Sequence, residues 1–382
     1  MTPPSKPDTV AREVKPQDNR LASTLQSSKV PGRSAAWIRG LARVALFLFS
    51  ISLFVVALEL IKSGAAGTAP LIERYLEIDK PANALGFGWF ATYLVLSGSP
   101  VAAVAVAFLA AGAIERIASY AMITGSRLGA SFIVLFIGFV YVLRGHEKRN
   151  GLTMGLLSLV VTASIYLPAL LVGALLLEYR LLDSVQLDQG GVLGSSVNAV
   201  LAPIVRTVVI VLPGWAVMLV GLAVLWVSFY LFDRVLPDLD LEHSRFAPVA
   251  NLIYQPLVMF LLGSAITLIT LSVSLSLSLL VPLSARGYIR RENAIPYIMG
   301  ANITTIIDTL LATVVLGSND AFTVVLASMV SVTLVSLVVL LLLSQQHQRL
   351  VLRLVAWTTA GNRNLALFMA IILIVPLILM LV

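Results

Sequence analysis

Apolar residues in this chain run in long blocks rather than alternating with polar ones, and seven blocks can cross a hydrocarbon core of about 30 Å as helices. They are Leu41–Ile61, Ala118–Leu143, Leu152–Leu177, Val208–Phe232, Ala294–Leu316, Phe322–Leu343 and Leu365–Val382. Two further apolar stretches, Leu85–Ala113 and Leu257–Leu283, are interrupted at their centres by Ser97-Gly98-Ser99-Pro100 and Ser272-Val273-Ser274. Pro100 removes a backbone donor and clashes with the preceding turn of any continuous helix. Each arm, about 12 residues at about 1.5 Å per residue, spans about 18 Å, enough to reach the membrane midplane and no further. The pattern predicts two re-entrant helical hairpins among seven spans.

Composition agrees with the pattern. With 59% of its 382 residues apolar and 12% charged, the chain is excluded from the water-soluble globular class and reads as an all-α polytopic membrane protein. Residues 1–35 are rich in Pro, Ser, Lys and Asp without apolar periodicity, which predicts a disordered tail. The net charge of +7 is concentrated there and at the start of the first block, in Lys6, Arg12, Lys15, Arg20, Lys29, Arg33, Arg39 and Arg43. Such flanks stay inside, so the N-terminus is expected to be cytoplasmic, in a multi-pass protein of the cell (plasma or inner) membrane, and no nucleic-acid partner is implied. The first apolar run is too long for a signal-peptide core and lacks a cleavage site, so no signal peptide is expected. The absence of cysteine excludes disulfides and thiolate metal sites.

The chain also resembles itself. At a fixed offset of 175, Gly88–Gly138 and Gly263–Thr313 align without a gap and share thirteen of fifty-one residues. Among them are Gly88/Gly263, Thr92/Thr267, Ser97/Ser272, Ser99/Ser274, Arg116/Arg291 and Gly125/Gly300. Unrelated apolar segments would share mostly Leu, Val and Ala, whereas here Thr, Ser, Arg and Gly recur in register. If the hairpins re-enter, three spans separate the first from the second. The expected fold is therefore two inverted-topology repeats, each with a re-entrant hairpin and a broken helix, an arrangement found in secondary transporters. The expected order is a tail (1–35), a first repeat (36–180), a connecting or interfacial segment (181–207), a second repeat (208–345), and a loop with the last span (346–382).

A helix broken in lipid exposes amides and carbonyls that need protein, water or a solute as partners. The hydroxyls of Thr92, Ser97, Ser99, Thr267, Ser272 and Ser274, with Gly98 between two of them, place donors and acceptors at the two breaks. A small anion would take the donors, and a hard cation such as Na⁺ the oxygens. The competing reading is that such hydroxyls bond their own preceding turn or a neighbouring helix. Gly125-Ser126-Arg127-Leu128-Gly129 and Gly300-Ala301-Asn302-Ile303-Thr304-Thr305 predict a second pair of breaks. Arg127 and Asp308 are charges inside apolar spans, and such charges face water or a partner. From the residues alone Arg127 is open to a substrate role, a counter-ion role or snorkelling to a nearby interface, and Asp308 to a cation site, a proton acceptor or a partner for a buried arginine. The reading adopted assigns Arg127, with Asn302 and Thr305, to the substrate, and Asp308, with Ser99, Ser274 and Thr304, to the coupling ion. The three histidines, His146, His243 and His347, fall in expected loops, and Thr162-Ala163-Ser164 reads as a helix-packing element. No nucleophile–base pair, nucleotide-binding loop or metal-ligand cluster is legible, so neither an enzyme nor a cofactor is expected.

These motifs resemble the type II sodium/phosphate cotransporters and their bacterial relatives. That family carries two inverted repeats, each with a Thr-x-x-x-Gln-Ser-Ser-Ser stretch in a re-entrant hairpin and a later Gly-Ala-Asn-Ile-Gly-Thr-Thr stretch opening a helix. Gly300-Ala301-Asn302-Ile303-Thr304-Thr305 is similar to the second motif, and Leu46-Phe47-Leu48-Phe49-Ser50-Ile51-Ser52-Leu53 to the family's first helix; the likeness covers about residues 41–320. Leu96 and Leu271 stand at both glutamine positions, Gly98 and Val273 at the middle serines, and Arg127 at the first asparagine position. The resemblance implies Na⁺-coupled uptake of phosphate or another small anion by alternating access, with a homodimer open. A membrane scaffold or sensor that keeps the fold without transporting is the alternative.

Overall fold

The computed structural model describes residues 33–76, 78, 80–143, 148–185, 192–235, 255–278, 280, 284 and 289–382, and these are all-helical. The expected disordered tail, apart from its last three residues, and His146 and His243 lie outside the described residues. The chain divides into two units, Met1–Leu46 and Phe47–Val382. In the first, the described residues form the start of α1 (Arg33–Leu76). The second holds the rest of α1 and thirteen further helices among its described residues. These are α2 (Pro81–Val95), α3 (Gly98–Ala110), α4 (Arg116–Leu143), α5 (Lys148–Glu178), α6 (Val192–Val211), α7 (Gly214–Val235) and α8 (Pro256–Thr270). They continue with α9 (Val273–Ser278), α10 (Arg291–Thr304), α11 (Ile306–Leu316), α12 (Asn319–Leu342), α13 (Ser344–Thr359) and α14 (Asn362–Leu379).

Among the described residues seven stretches are long and apolar enough to cross a membrane: Leu41–Thr68, Arg116–Leu135, Leu152–Glu178, Gly214–Phe232, Arg291–Leu316, Asn319–Leu342 and Asn362–Leu379. They coincide with the seven apolar blocks, and the chain is a membrane-embedded, all-α polytopic protein. Three details differ from the sequence reading. The block Val208–Phe232 is split, because Pro213 lacks an amide hydrogen and ends α6 at Val211 before α7 begins at Gly214. The break expected at Gly125 does not exist, since α4 runs unbroken through it. Residues 344–359, expected to begin in a loop, form α13, whose His347, Val351, Val355 and Thr358 recur every three or four residues and make its buried face.

Glycine at position 125 serves contact rather than interruption. A Cβ on Gly125 would collide with the Leu85 carbonyl, and one on Gly88 with the Met122 carbonyl, so the two glycines let α2 and α4 touch backbone to backbone. At an offset of 175 the same contacts recur between α8 and α10, where Gly300 faces the Phe260 carbonyl and Gly263 the Tyr297 carbonyl. Element boundaries recur as well. Both α2 and α8 have 15 residues, start at a proline and end on a leucine in the left-handed region, Leu96 at φ 55° and Leu271 at φ 46°. A non-glycine residue there is strained by about 1–2 kcal/mol. Each leucine is followed by a serine, Ser97 or Ser272, from which the next helix departs.

The later helices interlock reciprocally: α3 packs on α11, and α9 on α4. Between them runs α5, 31 residues and so about 46 Å long, against α4, α10, α12 and α13. Arg116, which opens α4, is hydrogen-bonded to Asp183, just beyond the C-terminal end of α5 (3.0 Å), and to Asp320 at the start of α12. Its counterpart Arg291, which opens α10, lines a cavity with Thr153, near the N-terminal end of α5.

Candidate functional site

The two charges singled out from the sequence meet. Arg127 extends from α4 and Asp308 from the first turn of α11, and Nη2 of Arg127 lies 3.0 Å from Oδ1 of Asp308. Both side chains are nearly sealed from solvent, at 2% and 8% exposure, which excludes snorkelling as the explanation for Arg127. Two threonines complete the contact. Arg127 Nη1 donates to Thr305 Oγ1 (3.3 Å) and Nη2 to Thr309 Oγ1 (2.5 Å), while Thr309 Oγ1 donates to Asp308 Oδ1 (2.8 Å). Arg127 Nε and Asp308 Oδ2 are buried without a hydrogen-bond partner. The pair is therefore neutral as a whole yet keeps one donor and one acceptor unused, in surroundings where each unmade bond costs about 1–3 kcal/mol.

Local sequence explains how α11 presents these groups. Thr305 separates α10 from α11 while keeping helical angles (φ −64°, ψ −20°), and its amide bonds to the Ala301 carbonyl. Thr305, Asp308 and Thr309 stand at spacings of three and four, so they share one face of the helical path. Asn302, on the turn before, belongs to a neighbouring network. Its Nδ2 donates to Thr162 Oγ1 on α5 (3.1 Å), and its carbonyl accepts from Tyr166 Oη (2.9 Å). Asn302 and Arg127 occupy equivalent positions at the 175 offset, and both are buried.

The hairpin hydroxyls follow several patterns. Thr92 Oγ1 bonds back to the Gly88 carbonyl (2.8 Å), the local bond expected of a threonine inside a helix. Thr267 instead donates from α8 to Ser276 Oγ on α9 (2.7 Å), which meets Tyr297 Oη at 2.9 Å. Ser97, Ser99 and Ser272 are half-buried at the breaks, and Ser97 caps no amide of α3. Gly98 is buried, because a Cβ there would meet the Ser126 carbonyl and the Ala130 side chain. Thr304 Oγ1 turns back to the Gly300 carbonyl (3.4 Å). The side chain of Ser274 lies outside the described residues. Among the described residues no hydrogen bond joins Thr92, Ser97, Ser99, Thr267 or Thr304 to the Arg127–Asp308 cluster. The structure thus assembles Arg127, Thr305 and Asp308, with Asn302 on the preceding turn.

Four polar residues of these networks escaped the sequence reading: Thr309, Tyr166, Thr162 as a partner of Asn302, and Ser276. Thr309 was findable as the neighbour of a buried aspartate, and Tyr166 as a phenol mid-span that needs an acceptor. His347 is not in a loop. It sits on α13, is buried, and its Nε2 lies 2.8 Å from Ser164 Oγ on α5, where burial holds the imidazole below its ordinary pKa. Among the described residues no three His, Asp or Glu side chains group as metal ligands. No protein-family model matches the chain, and no curated protein or solved structure matches it either.

Proposed function

We propose that the protein is a secondary transporter that moves a small anion together with Na⁺ by alternating access, and that the Arg127–Asp308 pair is its coupling element. The observation that carries this reading is a buried ion pair with one free donor and one free acceptor, tying α4 to α11. Separating the two helices alone would strand both charges, and an uncompensated buried charge costs about 3–5 kcal/mol. An anion bound to Arg127 compensates one charge, and Na⁺ among Asp308, Thr305 and Thr309 the other. Neither solute suffices by itself, so the pair opens only when both are bound. That requirement is what makes transport coupled rather than a leak.

The reading includes two inverted repeats with re-entrant hairpins. It is supported by the shared boundaries and glycine contacts at the 175 offset, by the reciprocal packing of α3 on α11 and α9 on α4, and by the equivalent residues Arg116 and Arg291 at opposite ends of α5. Helices α2 and α8, 15 residues each, reach about 22 Å, short of a full crossing. With the basic N-terminal flank cytoplasmic, α5 runs outward and Arg291 faces the cytoplasm. The resemblance to the type II sodium/phosphate cotransporters makes phosphate the first solute to test.

One observation favours a second reading, a scaffold that keeps the fold without transporting. Arg127 and Asp308 already neutralise each other, and a closed pair needs no solute. Uptake into proteoliposomes of labelled phosphate, sulfate and small carboxylates, with and without an inward Na⁺ gradient, separates the two. Transport predicts Na⁺-dependent accumulation of one of these anions, abolished by Asp308→Asn in protein that still reconstitutes. No accumulation of any of them, with a cysteine at Ser99 unreactive to hydrophilic thiol reagents, would establish the scaffold.

A further inference from the structure

Away from the buried pair, a cavity of about 460 Å³ opens between α1, α6 and the end of α11, in the size range of small-molecule sites. Its wall is apolar at Val55, Val56, Leu201, Val205 and Val209, and its polar groups are Glu59, Lys62, Ser63 and Arg206. Glu59 and Lys62 are three residues apart and so share one face of α1. The Lys62 ammonium donates to the carbonyl of Leu316, the last residue of α11 (3.2 Å), which fixes it in place and sets its depth. Leu316 is also where the apolar stretch Arg291–Leu316 ends, and Glu59 and Lys62 lie in the last third of the stretch Leu41–Thr68, so these charges stand toward one end of both. Val55 and Val56 lie about 10 Å deeper along α1. Arg206 is exposed, and among the described residues neither it nor Glu59 closes an ion pair.

We propose that this cavity holds one phospholipid whose headgroup carries both a phosphate and a primary ammonium. The phosphate fits the two cations, Arg206 as a planar fork and Lys62 as a fixed point charge. The ammonium fits Glu59, which a purely anionic headgroup would repel. The acyl chains follow the valine wall downward, so charge and apolarity are ordered along the cavity as they are along the lipid. Through Lys62 the site also touches the C-terminal end of the helix that carries Asp308. It does not depend on the transport reading, because its evidence is confined to α1, α6 and Leu316.

Native mass spectrometry of the purified full chain, titrated with phosphatidylethanolamine, phosphatidylglycerol and phosphatidylcholine, tests the assignment. The wild-type protein should prefer phosphatidylethanolamine, and Arg206→Gln, an exposed position that leaves folding intact, should weaken it about ten-fold. Glu59→Gln should remove the preference, leaving phosphatidylethanolamine bound no better than phosphatidylglycerol. Equal binding of the three lipids by wild type, or unchanged binding by Arg206→Gln, would overturn the proposal. Full displacement of the lipid by free O-phosphoethanolamine would also overturn it, in favour of a soluble phosphoamine.

Discussion

Residues 81–143 and 256–316 share helix boundaries, crossing glycines and a strained leucine where the first helix of each ends, yet they bury different chemistry. In the first stretch the hairpin threonine satisfies itself on its own helix, and the positions equivalent to Ser276 and Tyr297 are Val101 and Met122. In the second the threonine reaches Ser276, and Ser276 reaches Tyr297. The charges are divided in the same way. Arg127 belongs to the first stretch, where the second has Asn302, and Asp308 belongs to the second, where the first has Ile133. Backbone packing is held in common while polar function is split, so the ion pair can form only between the two stretches and reports on how they are placed.

Breaking that shared element should have the largest effect. Arg127→Met leaves Asp308 buried without its cation, and Asp308→Leu leaves Arg127 without its anion; each should destabilise the protein by about 3–5 kcal/mol. Arg127→Met with Asp308→Leu removes both charges and should recover most of that loss, because an apolar pair carries no desolvation penalty. Thermal unfolding of the four proteins in one detergent measures the coupling. Losses that simply add would mean that the two residues act independently, and the coupling mechanism would fall with them.

The glycine contacts probe what the two stretches have in common. Gly88→Ala and Gly263→Ala each drive a methyl group into a facing carbonyl, Met122 in one stretch and Tyr297 in the other. Since backbone cannot move aside as a side chain can, each should lose about 1–3 kcal/mol, and by similar amounts. Gly317→Ala is the control. Nothing lies within 4 Å of a Cβ there, so only its left-handed φ of 58° resists the change, and about 1 kcal/mol is expected. A large loss at Gly88 with none at Gly263 would show that the common boundaries do not mean common packing.

The spans were legible because hydropathy alone decides which helices can face lipid, and Arg127 and Asp308 because charge inside such a span is rare. Their meeting was not, since they are 181 residues apart and no local pattern encodes a partner across that distance. Gly125 misled for a physical reason. Glycine both weakens a helix and admits a neighbouring backbone, and only the position of the Leu85 carbonyl tells which use applies. The charged and amide residues of 344–359 concealed α13, although its buried positions already had helical spacing. Ser276 was passed over because hydroxyls on membrane helices are common and usually bond their own turn, as Thr92 does.

Ser276 gives the smallest and sharpest test of the difference between the stretches. Ser276→Ala removes the acceptor of Thr267 Oγ1, while Tyr297 Oη keeps a second acceptor in the Ser276 carbonyl at 3.2 Å. One buried hydroxyl is then left to find a new partner, so a loss of about 1 kcal/mol is expected. At the equivalent threonine of the first stretch, Thr92→Val removes a bond within a single helix, which links no two elements and should change stability by less than about 0.5 kcal/mol. Unfolding midpoints of the two variants against wild type measure the contrast directly. Equal losses would mean that the bond from α8 to α9 adds nothing beyond a local one, and that the two stretches differ in residue types without differing in what holds them together.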